Sequence, residues 1–233
     1  MNLCQRSYQP ELLDGDNIPF EDIRRNMQEL DFINTYLGGH AITLKGLQQL
    51  IGHKTQVHIC EIGCGGGDNL LAIQRWCASK NIQIRFTGID LNPNCIEFAK
   101  SRTSLWDCTD WMISDYRDIV FDQKPDIIFS SLFCHHFTDE VLVQQLQWMK
   151  LHAATGFFIN DLQRHPLAYY SIKILTRIFS RSYLVKHDAP LSVARGFSKA
   201  EWEYLFSTAG LQSFIIQWRW AFRYLIIFRT HER

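Results

Sequence analysis

The 233-residue chain is long enough for one sizeable domain with its own core, and two full domains would be cramped. Hydrophobic residues at 46% and charged residues at 21% give a folded globular protein, and 24 basic against 24 acidic residues leave no net field for a polyanion, which argues against a nucleic-acid partner. Seven cysteines (Cys4, Cys60, Cys64, Cys77, Cys95, Cys108, Cys134) are odd in number and lack paired spacing, so a reducing cytoplasm is expected rather than a disulfide framework.

The opening stretch "MNLCQRSYQPELLDGD" has no apolar centre of the kind that forms a signal peptide, and the longest apolar runs fall short of the ~20 residues that span a bilayer. Residues 1–52 read as an N-terminal helical cap. Within it a helix is predicted over Phe20 to Leu37, with Ile23, Met27, Leu30, Ile33 and Leu37 at helical spacing and Gly38-Gly39 at its C-terminal cap. A shorter helix follows from about Thr43 to Ile51. Tyr8, Leu12 and the Gly38-Gly39-His40 corner either close over a ligand or cover a sheet, and the sequence does not choose.

Residues 53–233 read as a single α/β unit. "QVHICEIG" (Gln56 to Gly63), "QIRFTGID" (Gln83 to Asp90), "WMISD" (Trp111 to Asp115), "DIIFSSLF" (Asp126 to Phe133) and "GFFIND" (Gly156 to Asp161) are short β-branched or aromatic runs. Helical patterns at Asn69 to Ser79, Pro93 to Arg102 and Asp139 to Leu151 separate them, so the strands pair in parallel and are covered. Near the end, "FSKAEWEYLFSTAG" is a helix with a Ser198/Glu201 capping box and a closing Gly210. "LQSFIIQWRW" and "FRYLIIFR" have almost no connection between them, which makes an antiparallel hairpin. The fold expected is a Rossmann-like, seven-stranded, mostly parallel sheet with that hairpin at its end and helices on both faces. Residues 164–197 interrupt the alternation as a helical insertion after the fifth strand. In its first half Lys173, Arg177 and Arg181 share one face, with Leu167, Tyr170, Ile174 and Ile178 around the rest.

Glycines at 63, 65, 66 and 67 crowd the turn that leaves the first strand, where such sheets bind ligands. A dinucleotide fingerprint would place its third glycine at 68, where the chain has Asp68. That carboxylate would also repel a pyrophosphate seated on the helix N-terminus. The loop therefore calls for a nucleoside without phosphates.

"EIGCGGG" (Glu61 to Gly67) resembles the E/D-x-G-x-G-x-G motif of class I S-adenosylmethionine-dependent methyltransferases, and the resemblance continues in order through "GIDLNP", "SDYRD" and "DIIFSSLFCHHFTD", over roughly Gln56 to Arg229. It implies S-adenosylmethionine as cofactor and S-adenosylhomocysteine as product. Gly63, Cys64, Gly65 and Gly67 would bend around the amino-acid portion, and Glu61 would anchor the loop or accept from the cofactor ammonium. Asp90, followed by Leu91, would grip the ribose hydroxyls, a place where a carboxylate makes charge-assisted hydrogen bonds. Asp115 and Tyr116 would lie beside the adenine, with a helix cap and ordinary packing as their alternatives, and Ser131, within the fourth strand, would also contact the cofactor.

Methyl transfer from a sulfonium needs alignment and exclusion of water. Zinc at Cys134, His135 and His136 is discounted, because neighbours on an extended segment point in alternate directions. A phenol, with a pKa near ~10, is helped by a base, and the resemblance points to His135, whose alternative is a satisfied structural histidine. His136 is expected to cap the next helix or bond the backbone. The place where amino-methyltransferases of nucleobases carry Asn/Asp-Pro-Pro-aromatic reads "SSLF" here, which disfavours a base as acceptor.

The insertion would roof an apolar pocket, with Asp161, His165 and Tyr169 at its start, or else form a partner or dimer surface; its basic residues also allow weak contact with anionic lipid headgroups. The whole is similar to ubiquinone/menaquinone-type methyltransferases and, in "NDLQRHPLAYY" and "HDAPLSVARGF", to enzymes of bacterial aromatic polyketide and lipid-phenol pathways. The resemblance implies O-methylation of a small apolar hydroxylated aromatic. C-methylation of a quinone precursor and a non-catalytic binding protein on the same fold are the alternatives.

Overall fold

In the computed structural model, which describes residues 3–15, 18–102 and 107–230, two helices precede the sheet: α1 (Phe20–Tyr36) and α2 (Gly39–Ile51). The outer limits Met1 and Arg233 of the two expected segments lie outside the described residues. The alternating part comprises β1 (Gln56–Ile62), α3 (Asp68–Ser79), β2 (Gln83–Asp90), α4 (Pro93–Lys100), β3 (Thr109–Ile113), β4 (Ile127–Ser131), α5 (Asp139–His152) and β5 (Gly156–Leu162). The insertion forms α6 (Pro166–Phe179) and α7 (Tyr183–Arg195), and α8 (Lys199–Thr208), β6 (Ile215–Arg219) and β7 (Arg223–Arg229) complete the chain.

The seven strands lie in the order β3-β2-β1-β4-β5-β7-β6. β7 alone runs against its neighbours, inserted between β5 and β6, with Ile159 opposite Ile226 and Ile216 opposite the same residue on the other side. The three-residue connection is tight because Ala221 and Phe222 both take left-handed backbone, φ 58° and 54°. The strand order reverses between β1 and β4, which opens a crevice above their carboxyl ends.

Alternation in the buried strands sends successive side chains to opposite layers. Ile128, Phe157, Ile159, Ile226 and Phe228 pack under α5 and α8, around the fully buried Trp202 and Phe206. Ile59, Phe129, Phe158, Leu225 and Ile227 pack under α2 and α3, where Phe129 and Phe158 stack at 4.8 Å. α2 comes close because Gly46 has no side chain: a Cβ there would lie 2.5 Å from the Phe158 ring. α1 and α4 form a separate layer through Ile23, Met27, Cys95 and Phe98, walling one side of the crevice.

Several boundaries differ from the sequence reading, two of them for clear local reasons. α2 starts at Gly39 instead of Thr43, because Gly38, at φ 76°, turns the chain from α1 straight into the next helix. β3 ends at Ile113, because Asp115 leaves the sheet to cap a 3-10 turn at Tyr116–Asp118.

Candidate active site

The crevice is a cavity of about 1150 Å³. Its floor on one side is the turn after β1. Gly63 adopts φ 67°, and a Cβ there would fall 2.1 Å from the Phe133 ring, so no other residue fits without moving the segment after β4. Gly65, at φ 50°, donates its N–H to Asp90 Oδ2 at 2.8 Å, while Asn92 N–H donates to Asp90 Oδ1 at 2.9 Å. Asp90 thus holds the glycine turn against the end of β2, and burial raises its pKa above the ordinary value. Glu61 is buried and accepts from Asn69 Nδ2 at 3.0 Å through Oε1, whereas Oε2 has no partner. Burial and the nearby Asp68 push its pKa well above the carboxylate range, an environment that a cation in the crevice would relieve.

On the other side, the chain after β4 passes through Leu132, at φ 53°, into a 3-10 turn at Cys134–His136. Asp161, fully buried at the end of β5, receives the Cys134 N–H at 2.8 Å on one oxygen and the His135 Nδ1–H at 2.8 Å on the other. This fixes His135 with Nε2 turned away from Asp161. Nε2 lies 3.5 Å from Glu11, which comes from the segment before α1. Burial works against a charged imidazole, but Asp161 and Glu11 outweigh it and lift the His135 pKa to about 9.

Glu11 is placed by α7. Ser192 Oγ donates to it at 2.7 Å, and the next two amides, Leu12 and Leu13, donate to Asp188 at 2.8 and 3.0 Å. Arg195 joins the strap to the histidine turn, donating to Gln9 O at 2.5 Å, His135 O at 3.0 Å and His136 O at 2.8 Å. Glu11, Leu13, Asp14 and Gly15 all line the cavity, so the N-terminal segment closes over it.

A family model described as a methyltransferase domain matches residues 59–156, from β1 to the start of β5. Taken as a whole, the chain is similar in fold to solved methyltransferases. Its fold is that of the plantazolicin methyltransferase solved with a monoazolic desmethylPZN analog and SAH, at TM-score 0.66 and 17% identity, over 93% of this chain and 91% of that one. Human N-acetylserotonin methyltransferase in complex with SAM matches at TM-score 0.62 and 18% identity over 91% of this chain, which spans only 56% of the human chain. A SAM-dependent methyltransferase from Aquifex aeolicus matches at TM-score 0.63 and 14% identity, over 92% of this chain and 100% of that one. No curated protein matches the sequence.

Within the crevice the structure gathers Glu61, Gly63, Cys64, Gly65, Asp90, Leu91, Asp115, Tyr116, Ser131 and His135 on the cavity wall. Gly67 stands just behind them at the N-cap of α3, at φ 71°. Asp115 also serves its alternative role, accepting from the Arg117 amide at 2.9 Å, and Tyr116 packs edge-on against Trp148 at 5.1 Å. Asp161 stands behind His135 and does not reach the cavity, so it positions the histidine.

His165 and Tyr169 are not on the wall, contrary to expectation. His165 caps α6 by accepting from Leu167 N–H at 3.2 Å and stacks on Phe222 at 4.8 Å. Tyr169 packs among Ala168, Val193 and Ala194, on the side of α6 that faces α7. The α6 residues that face the cavity are Ala168, Ser171, Ile172 and Leu175.

His135 and His136 converge, contrary to expectation, because the segment is a 3-10 turn and not extended. The His135 and His136 rings lie 4.5 Å apart, and with Glu11 their donor atoms come within 4.8 Å of one another. His136 does not cap the following helix. It pairs with Asp14 at 3.1 Å, while Cys134 turns away to Ser130 at 3.4 Å. A similar group, Asp31, His40 and Asp68, lies at the α1–α2 corner. Glu11 escaped the sequence reading, and Asp188, Ser192 and Arg195, though they lie in "HDAPLSVARGF", were given no role there, since all four act on the site through contacts distant in sequence.

Proposed function

We propose that the protein transfers a methyl group to the hydroxyl of a small apolar aromatic, a phenol or quinol, with His135 as general base. The observation that carries this reading is the His135–Asp161 pair at 2.8 Å, which holds the imidazole on the wall of a cavity large enough for two ligands side by side, with Nε2 turned away from Asp161 and toward Glu11. S-adenosylmethionine supplies an electrophilic methyl on a sulfonium. Asp90 would hold its ribose, Glu61 with Gly63 and Gly65 its amino-acid end, and Asp115 and Tyr116 its adenine, with Leu91, Cys64 and Ser131 completing the contact. The unpartnered Glu61 Oε2 suits the cofactor ammonium.

The acceptor half of the cavity is apolar and aromatic, with Phe137, Ile172, Leu175, Trp218, Trp220 and Phe222 on its wall. Such a wall excludes water and aligns a flat ring, which is most of what an in-line displacement needs. His135 at about 9 lies near the ~10 of a phenol, so a proton passes between them with little penalty. A base of this strength also serves an activated ring carbon, which keeps C-methylation as the second reading.

The test is incubation with labelled S-adenosylmethionine and a panel of phenols, quinols and alkylresorcinol-like lipids, followed by NMR of the product to separate O- from C-methyl. His135→Gln should abolish transfer while calorimetry still shows S-adenosylhomocysteine binding. Unchanged turnover removes His135 as the base, and absence of cofactor binding in the wild type removes the whole reading, leaving a methyltransferase fold put to another use.

A further inference from the structure

Among the described residues no helix is long and apolar enough to cross a membrane, yet α6 presents to solvent what such a protein ordinarily buries. Leu167, Tyr170, Ile174 and Ile178, spaced so as to share one face, are 64%, 56%, 58% and 65% exposed. Large apolar residues singly exposed need no explanation, but an aligned row does. Lys173 and Arg177 flank that row, and no acidic residue occurs between Gln163 and His187. Glu29, the acid that reaches this region from α1, is occupied by the amides of Arg181 and Ser182 at 2.9 and 3.0 Å.

The same helix is the cavity roof. Leu175, Trp218 and Trp220 each line the cavity and are also exposed at 42%, 55% and 70%, so the apolar surface of α6 runs over the rim into the pocket. A helix with an apolar face and a cationic flank lies in the plane of an anionic bilayer, its apolar side among the acyl chains. A partner protein of ordinary surface would leave the cavity mouth either blocked or wet.

We infer that α6 docks the protein on an anionic lipid surface with the cavity mouth against the bilayer, and that the methyl acceptor is an amphiphile drawn from it. The docking stands on the α6 surface alone; the identity of the acceptor rests on the methyl-transfer reading above. Ile174 and Ile178 line no part of the cavity, so replacing them leaves the cofactor site intact.

The experiment is co-sedimentation of the full chain with vesicles of phosphatidylcholine alone or mixed with phosphatidylglycerol, with S-adenosylhomocysteine calorimetry run in parallel. The wild type should sediment with the anionic vesicles, and Ile174→Glu/Ile178→Glu and Lys173→Glu/Arg177→Glu should each weaken this at least tenfold while cofactor affinity stays unchanged. Turnover should fall in both variants for a long-chain phenol carried in vesicles and hold for a short soluble phenol. A wild type that stays in the supernatant, variants that sediment equally well, or a wild-type dimer in sedimentation velocity that Ile178→Glu dissociates would each overturn the proposal. Failure to bind S-adenosylhomocysteine, with vesicle binding intact, would instead strike the methyl-transfer reading.

Discussion

Asp161 holds two successive groups of the turn after β4 at once, the Cys134 amide on one oxygen and the His135 Nδ1–H on the other, each at 2.8 Å. One carboxylate therefore sets both the path of the backbone and the tautomer of the ring. Asp161→Asn keeps the shape but offers only one accepting oxygen, so the histidine loses its fixed orientation. Turnover should drop by about 10²–10⁴, the span that a positioned base contributes. Cofactor affinity should stay within about threefold, since Asp161 does not reach the cavity. Equal losses in both would mean that the pair supports the fold and not the reaction.

His135 must be neutral to act as base, and its pKa of about 9 makes that form scarce at neutral pH. The free-enzyme rate constant kcat/KM should therefore climb from pH 7 to about pH 9 and then level. Glu11→Gln removes one of the two carboxylates that raise the imidazole pKa, so the rising limb should move toward lower pH. A pH profile that is flat in the wild type, or unmoved in the variant, takes His135 out of the rate-limiting proton transfer.

Asp90 holds two amides and lines the crevice, and in the proposed function it would also receive the ribose hydroxyls. Hydrogen bonds to a charged group contribute about 1.5–3 kcal/mol, so Asp90→Ala should weaken S-adenosylhomocysteine binding about 10- to 100-fold in calorimetry. Retained affinity would show that the ligand lies elsewhere.

Glu201 links the capping box of α8 to Arg164 beside β5, with Arg164 Nη2 at 2.7 Å. Burial raises its pKa, but Arg164 and the Ser198 cap outweigh that and hold it below the usual value. A carboxylate depressed in the folded state adds stability that is complete above the unfolded value of ~4.3 and is lost as pH falls through the folded one. Glu201→Gln should thus melt lower than the wild type at neutral pH, with the gap narrowing in acid below about pH 4. A gap that widens in acid contradicts this assignment.

The alternation of short strands and helices was enough to read the sheet, and the capping box at Ser198 and Glu201 located α8 because both of its bonds are local. The glycine-turn wall of the cavity was legible for the same reason: Glu61, the glycines and Asp90 sit at strand ends, where sequence position fixes place. The opposite wall was not. Which residues of α6 face inward depends on how the insertion packs, and Tyr169 rather than Ser171 had the chemistry that drew attention. Glu11 reaches His135 only because α7 pins the strap, a contact between the two ends of the chain that no local pattern announces. Nor did the run "CHH" reveal that it coils into a 3-10 turn, which is what brings its two imidazoles together.

The strap's dependence on Asp188 and Arg195 also orders events at the ribosome. Residues 9–13 are synthesised long before the helix that fastens them, so strands β1 to β5 emerge while the crevice is still uncovered. Closure becomes possible only once α7 has been synthesised. An assembly order of this kind leaves the unfinished protein open to ligand, and a fusion partner at the N-terminus that hinders the strap should impair the proposed methyl transfer without unfolding the protein.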